Sequence, residues 1–79
     1  MLQIDLFTKE PCPLCDEVKS LLETLEGTYP HQLTEIDITL DKELNARYRF
    51  QIPVLQIGNS QLKAPINLLD LSRFLREAI

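Results

Sequence analysis

The stretch that decides the fold runs from Leu2 to Leu25 and reads LQIDLFTKEPCPLCDEVKSLLETL. At its start Leu2, Ile4 and Leu6 alternate with polar residues, which is the period of a β-strand with one apolar face. After a short polar loop the period becomes that of an α-helix, with an apolar stripe formed by Leu14, Val18, Leu21, Leu22 and Leu25. The sequence therefore predicts a strand followed at once by an amphipathic helix.

Two cysteines lie where the strand gives way to the helix, in the order Cys12-Pro13-Leu14-Cys15. Pro13 suits the first helical position, so Cys12 is predicted at the N-cap and Cys15 one turn further on. A thiolate is the nucleophile in disulfide exchange, and a free thiol titrates at about 8.5. The unpaired N–H groups and the dipole of a helix N-terminus stabilise such an anion. We therefore predict that Cys12 attacks a disulfide and that Cys15 resolves the product, with Lys9 adding a cationic field.

Other uses of the pair stay open at this point. Cysteines at this spacing also occur in zinc sites, but the chain adds only His31 as a further strong ligand, so a metal or an iron–sulfur cluster would have to be shared between subunits. The cysteines could also be inert small hydrophobic residues, or the domain a module that only docks a partner. A stabilising role for the disulfide explains little, because so small a loop gains little chain entropy.

The rest of the chain continues the alternation of strands and helices. A second strand is predicted over Leu33–Ile38 and a second helix, capped by Thr39 or Asp41, ends near Phe50. Tyr48 and Phe50 are predicted to be core contacts of that helix. A hairpin follows, with strands over Pro53–Ile57 and Gln61–Ala64, and Asn67 is predicted to cap the last helix.

The resulting order is β-α-β-α-β-β-α over residues 1–79, and we expect an α/β fold in a single domain. Every element has an apolar face, so a mixed sheet with helices on both faces would bury them all. Pro53 would open the strand beside the first one, and we predict a cis Ile52–Pro53 bond. That geometry would leave the polar backbone groups of Ile52 free to pair with a substrate peptide.

Composition and charge exclude some classes of binding partner. A net charge of −4 argues against nucleic acid, and no apolar run is long enough to span a membrane. The N-terminus has no secretory pattern, so we expect a cytoplasmic protein. Arg47 and Arg49 are expected to lie on a solvated surface, although either could pair with a ligand carboxylate. His31 is expected at the surface in a loop, with no role.

Two segments carry a resemblance to the glutaredoxins: Phe7–Cys15, with a lysine before the first cysteine, and Gln51–Val54, similar to their Thr-Val-Pro element. The resemblance implies a thioredoxin fold, with a four-stranded sheet in the order 2-1-3-4 whose third strand is antiparallel. It also implies a cis Pro53 and a nucleophilic Cys12. On this basis we predict a thiol-disulfide oxidoreductase, with Cys12 and Cys15 as its catalytic residues. Substrate-binding residues are predicted to be Lys9, Pro13, Leu14, Ile52 and Pro53.

The same resemblance bears on partners. We expect a monomer that binds no cofactor, acts on a protein or low-molecular-weight disulfide, and receives electrons from glutathione or a reductase. Glutaredoxins usually carry an aromatic residue where this chain has Leu14, a Gly-Gly pair where it has Lys63-Ala64, and an aspartate where it has Asn67. Because the family's glycines let the ligand backbone approach and its aspartate receives the α-amino group of glutathione, we expect this chain to handle glutathione less well than an ordinary glutaredoxin.

Overall fold

A computed structural model describes all 79 residues and places the predicted first strand at the centre of the sheet. That strand, β1 (Leu2–Thr8), pairs in parallel with β2 (His31–Asp37) and antiparallel with β3 (Val54–Ile57). The outer strand β4 (Ser60–Lys63) forms a hairpin with β3, and the resulting order is β2-β1-β3-β4. This order and the antiparallel third strand are those that the resemblance implies.

Three helices cover the sheet. They are α1 (Pro13–Leu25), α2 (Lys42–Tyr48) and α3 (Leu68–Glu77), and a single 3₁₀ turn at Ile38–Leu40 precedes α2. The side chains of Asp41 and Asn67 cap α2 and α3, each by accepting hydrogen bonds from backbone N–H groups of the first turn. Both caps are as predicted, with Asp41 rather than Thr39 opening α2.

The apolar faces of these elements form two separate cores, one on each side of the sheet. On the side of α1 and α3, seven aliphatic side chains are buried: Ile4, Leu6, Val18, Leu22, Leu55, Leu71 and Leu75. On the side of α2, four side chains are buried: Phe7, Ile38, Tyr48 and Val54. Neighbouring strand residues point to opposite faces, which is why Leu6 and Phe7 belong to different cores. Helices therefore lie on both faces of the sheet.

Three predictions in the middle of the chain are wrong. β2 begins at His31 rather than at Leu33 and ends at Asp37 rather than at Ile38. It ends there because the Asp37 carboxylate accepts a hydrogen bond from Thr39 N at 2.9 Å, which turns the chain into the 3₁₀ turn. His31 is therefore in a strand, and its side chain is only 5% exposed, with Nδ1 2.8 Å from the Tyr29 carbonyl oxygen. Phe50 is not a core contact: it lies beyond the end of α2 and is 87% exposed.

The arginines beside Phe50 lie on the surface, as expected. The Arg49 guanidinium carbon is 4.6 Å from the centre of the Phe50 ring, and that of Arg47 is 5.9 Å from the Tyr48 ring. A guanidinium over an aromatic face is an attractive contact, so Phe50 keeps one partner although it leaves the core. Among the helices, none has the length and apolar character required to cross a bilayer.

Candidate active site

The site is built where β1 ends and α1 begins. Cys12 is the N-cap of α1, with extended backbone angles of φ −150° and ψ 93°, and Pro13 follows as the first helical residue. The backbone N–H of Cys15 donates to Cys12 Sγ at 3.1 Å. The Cys12 sulfur thus accepts a hydrogen bond from a backbone N–H of the first turn, as the side-chain oxygen of a serine or aspartate does at other helix N-termini. The same N–H is available to a thiolate once the pair is reduced, and it lowers the free energy of that anion.

The two cysteines form a disulfide, with Cα atoms 5.2 Å apart. Their surroundings differ: Cys15 is fully buried beneath the first turn of α1, whereas Cys12 is partly exposed. Only the Cys12 sulfur can therefore be reached from solvent. Asp16 lies in the first turn of α1 and Glu17 follows it, and both are exposed carboxylates.

A groove of about 110 Å³ opens next to Leu14, the residue between the two cysteines, although neither cysteine lines it. Of the lining residues, Leu14 is exposed and Pro53 is fully buried. The complete lining comprises Leu14, Glu17, Val18, Pro53, Ala64, Pro65 and Ile66. Ala64 N donates to Pro53 O at 3.1 Å, which ties the loop before α3 to the start of β3. The groove therefore joins α1 to two segments that are distant in the sequence.

The structure brings together only some of the residues predicted to bind substrate. Leu14 and Pro53 share the groove, and Pro13 is exposed beside Cys12. Lys9 instead lines a separate polar cavity of about 200 Å³ together with Thr8, Glu10, Lys19, Glu35 and Asp37. Lys9 is thus surrounded by carboxylates and does not line the groove.

Ile52 is half-buried and packs against the core on the α2 side. The Ile52–Pro53 peptide bond is cis, as are Glu10–Pro11 and Ala64–Pro65. The expectation that both polar backbone groups of Ile52 are free is wrong in part. Its N–H donates to the Tyr48 carbonyl oxygen at 3.1 Å, because the chain turns back on the end of α2, and only its carbonyl oxygen has no partner within the chain.

Charged contacts near the site fasten α1 to the edge of the sheet. Lys19 Nζ lies 3.0 Å from Glu35 Oε1 on β2 and 3.5 Å from Asp16 Oδ1. The hydrogen bond to Glu35 raises the pKa of Lys19. At the end of β2, the Thr39 hydroxyl donates to Asp37 Oδ1 at 2.6 Å and lowers the pKa of that carboxyl group. On the other face, a hydrogen bond from Gln61 to the phenol oxygen lowers the pKa of Tyr48.

Several groove residues were not identified from the sequence. Val18 carried a signal as part of the apolar stripe of α1, four residues after Leu14. Ala64 carried a signal only through the family resemblance, which places a ligand-binding glycine at that position. Glu17, Pro65 and Ile66 carried none, since their place in the groove depends on the approach of the loop before α3. No group of three or more His, Cys, Asp or Glu side chains is placed to hold a metal ion.

Comparison with known proteins agrees with this geometry. The family model described as "Glutaredoxin-like domain (DUF836)" matches residues 3–77, nearly the whole chain. The chain belongs to the glutaredoxin-like domain family. The match supports the resemblance drawn from the segments around Cys12 and Pro53, and with the disulfide it indicates a redox type of function.

Solved structures share the fold of this glutaredoxin-like domain. The X-ray structure of protein XcR50 from X. campestris is 25% identical, with a TM-score of 0.79 over 96% of this chain and 99% of that one. Protein Ne2328 from Nitrosomonas europaea is 21% identical, with a TM-score of 0.79 over 92% and 89%. Oxidised thioredoxin O2 from Arabidopsis thaliana is 18% identical, with a TM-score of 0.71 over 95% of this chain and 72% of its own. These likenesses show the thioredoxin fold.

Proposed function

We propose that this glutaredoxin-like domain is a thiol-disulfide oxidoreductase that works by dithiol exchange. In the reduced protein the Cys12 thiolate attacks one sulfur of a substrate disulfide, which forms a mixed disulfide and releases the other sulfur as a thiolate. Cys15, as its thiolate, then attacks Cys12 Sγ. That step closes the Cys12–Cys15 disulfide and releases the second substrate sulfur, so two electrons pass from protein to substrate.

The hydrogen bond from Cys15 N to Cys12 Sγ carries this proposal. It makes the accessible sulfur the one whose anion is stabilised, while the resolving sulfur is buried and within disulfide reach. The exposed carboxylates of Asp16 and Glu17 act in the opposite direction, because nearby negative charge raises the pKa of a thiol. The amide hydrogen bond and the two carboxylates therefore act on the Cys12 thiolate in opposite directions.

The groove supports a protein or low-molecular-weight disulfide as substrate. The exposed side chain of Leu14, two residues after Cys12, offers apolar contact, and the free carbonyl oxygen of Ile52 can accept a hydrogen bond from a substrate backbone. In this proposal the domain acts as a monomer in the cytoplasm without a bound cofactor. Glutathione or a reductase returns its electrons, and a coupled assay that supplies each donor in turn identifies which one.

Limiting alkylation of the reduced protein tests the roles of the cysteines. At neutral pH, a substoichiometric amount of iodoacetamide should label Cys12 well before Cys15, because only Cys12 is both accessible and stabilised as a thiolate. Peptide mass spectrometry measures the two sites separately. Cys12→Ser and Cys15→Ser proteins serve as controls for the labelling of each single thiol. Equal labelling of both sites, or faster labelling of Cys15, would contradict the assignment.

A further inference from the structure

The groove next to Leu14, the residue between the two cysteines, combines apolar side chains with one charged side chain. Of its seven lining residues only Glu17 is ionisable; the others are Leu14, Val18, Pro53, Ala64, Pro65 and Ile66. Glu17 is exposed, and no hydrogen bond or salt bridge occupies its carboxylate. A substrate side chain in the groove would therefore meet an aliphatic surface and an unpaired negative charge.

None of the three ion pairs of the chain includes this carboxylate. Lys19, the nearest lysine along α1, is held by Asp16 and Glu35. Lys63 lies beside Ala64 in the sequence but on the opposite face of the sheet, since its neighbour Leu62 packs into the core of α1 and α3. Lys9 lines the other cavity. Glu17 is therefore the one charged side chain that the groove offers to a ligand, and it has no ion-pair partner within the chain.

We propose that Glu17 is a specificity-determining residue that selects disulfide substrates with a basic side chain near the reacting cysteine. The inference rests on the proposed exchange activity and names the substrate class: a polypeptide in which an apolar residue and a lysine or arginine flank the cysteine. The apolar residue lies against the accessible side chains of Leu14, Pro65 and Ile66, and the cation pairs with Glu17. An anionic substrate, such as a disulfide of glutathione with its two carboxylates, meets like charge at the same place.

The expected difference in rate between basic and acidic substrates follows from the exposure of Glu17. An ion pair between exposed side chains contributes little, so a difference of roughly two- to fivefold in rate is expected at low ionic strength. High salt should reduce the difference, because mobile ions screen exposed charges. Binding of the apolar residue is independent of salt, so the neutral counterpart of the same peptide should react at a rate that changes little.

Three pentapeptides provide the test: acetyl-Lys-Val-Cys-Val-Lys-amide and its counterparts with Glu or Gln in place of both Lys residues. Each cysteine is joined to thionitrobenzoate as a mixed disulfide. Attack by reduced Cys12 on the peptide sulfur releases thionitrobenzoate, whose absorbance gives the rate constant. Placing the charge on both sides of the cysteine makes the result independent of the direction in which the peptide lies. The measured quantity is the ratio of rate constants for the Lys and Glu peptides.

Within one protein this ratio cancels any change in the reactivity of Cys12 itself. Glu17→Gln should lower the ratio by roughly two- to fivefold, and Glu17→Lys should lower it further. Glu23→Lys is the matched control, since it makes the same charge change on α1 but does not line the groove, and its ratio should equal that of the unmodified protein.

The possible failures are distinct. Equal ratios in the unmodified protein and both Glu17 variants would overturn the selectivity and leave the exchange activity standing. Equal losses in Glu17→Lys and Glu23→Lys would also overturn it, since the net charge and not the groove would then be responsible. No release from any peptide, although dithiothreitol releases thionitrobenzoate from all three, would overturn the exchange activity and the selectivity with it.

Discussion

The two faces of the sheet are closed in different ways. On the side of α1 and α3, the seven buried core residues are all aliphatic. On the side of α2, the four buried residues include the Phe7 and Tyr48 rings, which stack with centroids 4.5 Å apart. The Tyr48 hydroxyl also accepts a hydrogen bond from Gln61 Nε2 at 2.9 Å. Packing on the α1 and α3 side thus depends on aliphatic side chains that fill the core. Packing on the α2 side depends on an aromatic stack and a hydrogen bond.

The difference shows where the stability of a small domain is concentrated. The aliphatic core contains Val18 and Leu22 of α1, so the helix that begins at Cys12 is anchored by the larger of the two cores. The α2 side contributes less buried volume, and Leu40 and Phe50 remain exposed at the two ends of its helix. Truncation of a buried side chain should therefore lower the free energy of unfolding most on the α1 side. Removal of a polar contact should lower it on the α2 side.

Truncation of a side chain in the aliphatic core should have the largest effect. Leu22→Ala is expected to lower the free energy of unfolding by about 2–5 kcal/mol, because it removes buried methyl groups and leaves a cavity. Urea denaturation measures the change. Leu40→Ala is the matched control, since Leu40 is 85% exposed and its truncation should change the free energy by no more than about 0.5 kcal/mol. A similar loss in both variants would contradict the assignment of the core.

On the α2 side, removal of a single hydroxyl should have a moderate effect. Tyr48→Phe keeps the stack on Phe7 but loses the hydrogen bond from Gln61, and is expected to cost about 1 kcal/mol. The same denaturation experiment measures it. In a double-mutant cycle with Gln61→Ala, the two changes should not add, because they remove the same bond. Full additivity would show that the phenol and the amide act independently.

The smallest change in stability is expected at the 3₁₀ turn that places Ile38 in the core on the α2 side. The Thr39 hydroxyl lowers the pKa of Asp37, so Asp37 binds its proton less readily in the folded than in the unfolded protein. Its contribution to stability is therefore present above its ordinary pKa and is lost as the pH falls through the lowered value. Thr39→Val should be less stable than the unmodified protein at neutral pH, and the difference should shrink in acid.

Unfolding in urea at a series of pH values measures this difference. Thr34→Val, on the exposed surface of β2 and without a side-chain hydrogen bond, provides the control and should show no change in pH dependence. A difference between Thr39→Val and the unmodified protein that stays constant with pH would mean that the hydroxyl does not act through the Asp37 carboxylate.

The elements with a strong hydrophobic period were predictable from the sequence. The alternation in β1 and the apolar stripe of α1 each repeat several times, so a single ambiguous residue does not change the interpretation. The N-cap position of Cys12 followed from Pro13 and the start of that stripe. The family resemblance supplied the strand order, which no local pattern contains.

Features that depend on one residue, or on segments far apart, were not predictable. Phe50 is apolar and close to the end of α2, but the helix stops two residues earlier and the ring leaves the core. His31 is polar, yet its side chain is shielded beside Glu26, whose Oε2 is 3.1 Å from Nδ1. The groove around Glu17 forms only where α1 meets Ala64 and Pro65, and no sequence pattern predicts that contact.

The outer edges of the sheet also bear on how this protein behaves in a crowded solution. An uncovered strand edge is a template on which another chain can add a strand, the first step toward a fibril. β4 offers only four residues, and Pro65, which has no amide hydrogen to donate, follows shortly after it. β2 is longer, but the Lys19–Glu35 ion pair lies beside it, and a second chain that docked there would have to strip water from both charges. Both edges therefore disfavour the stacking of one copy on another.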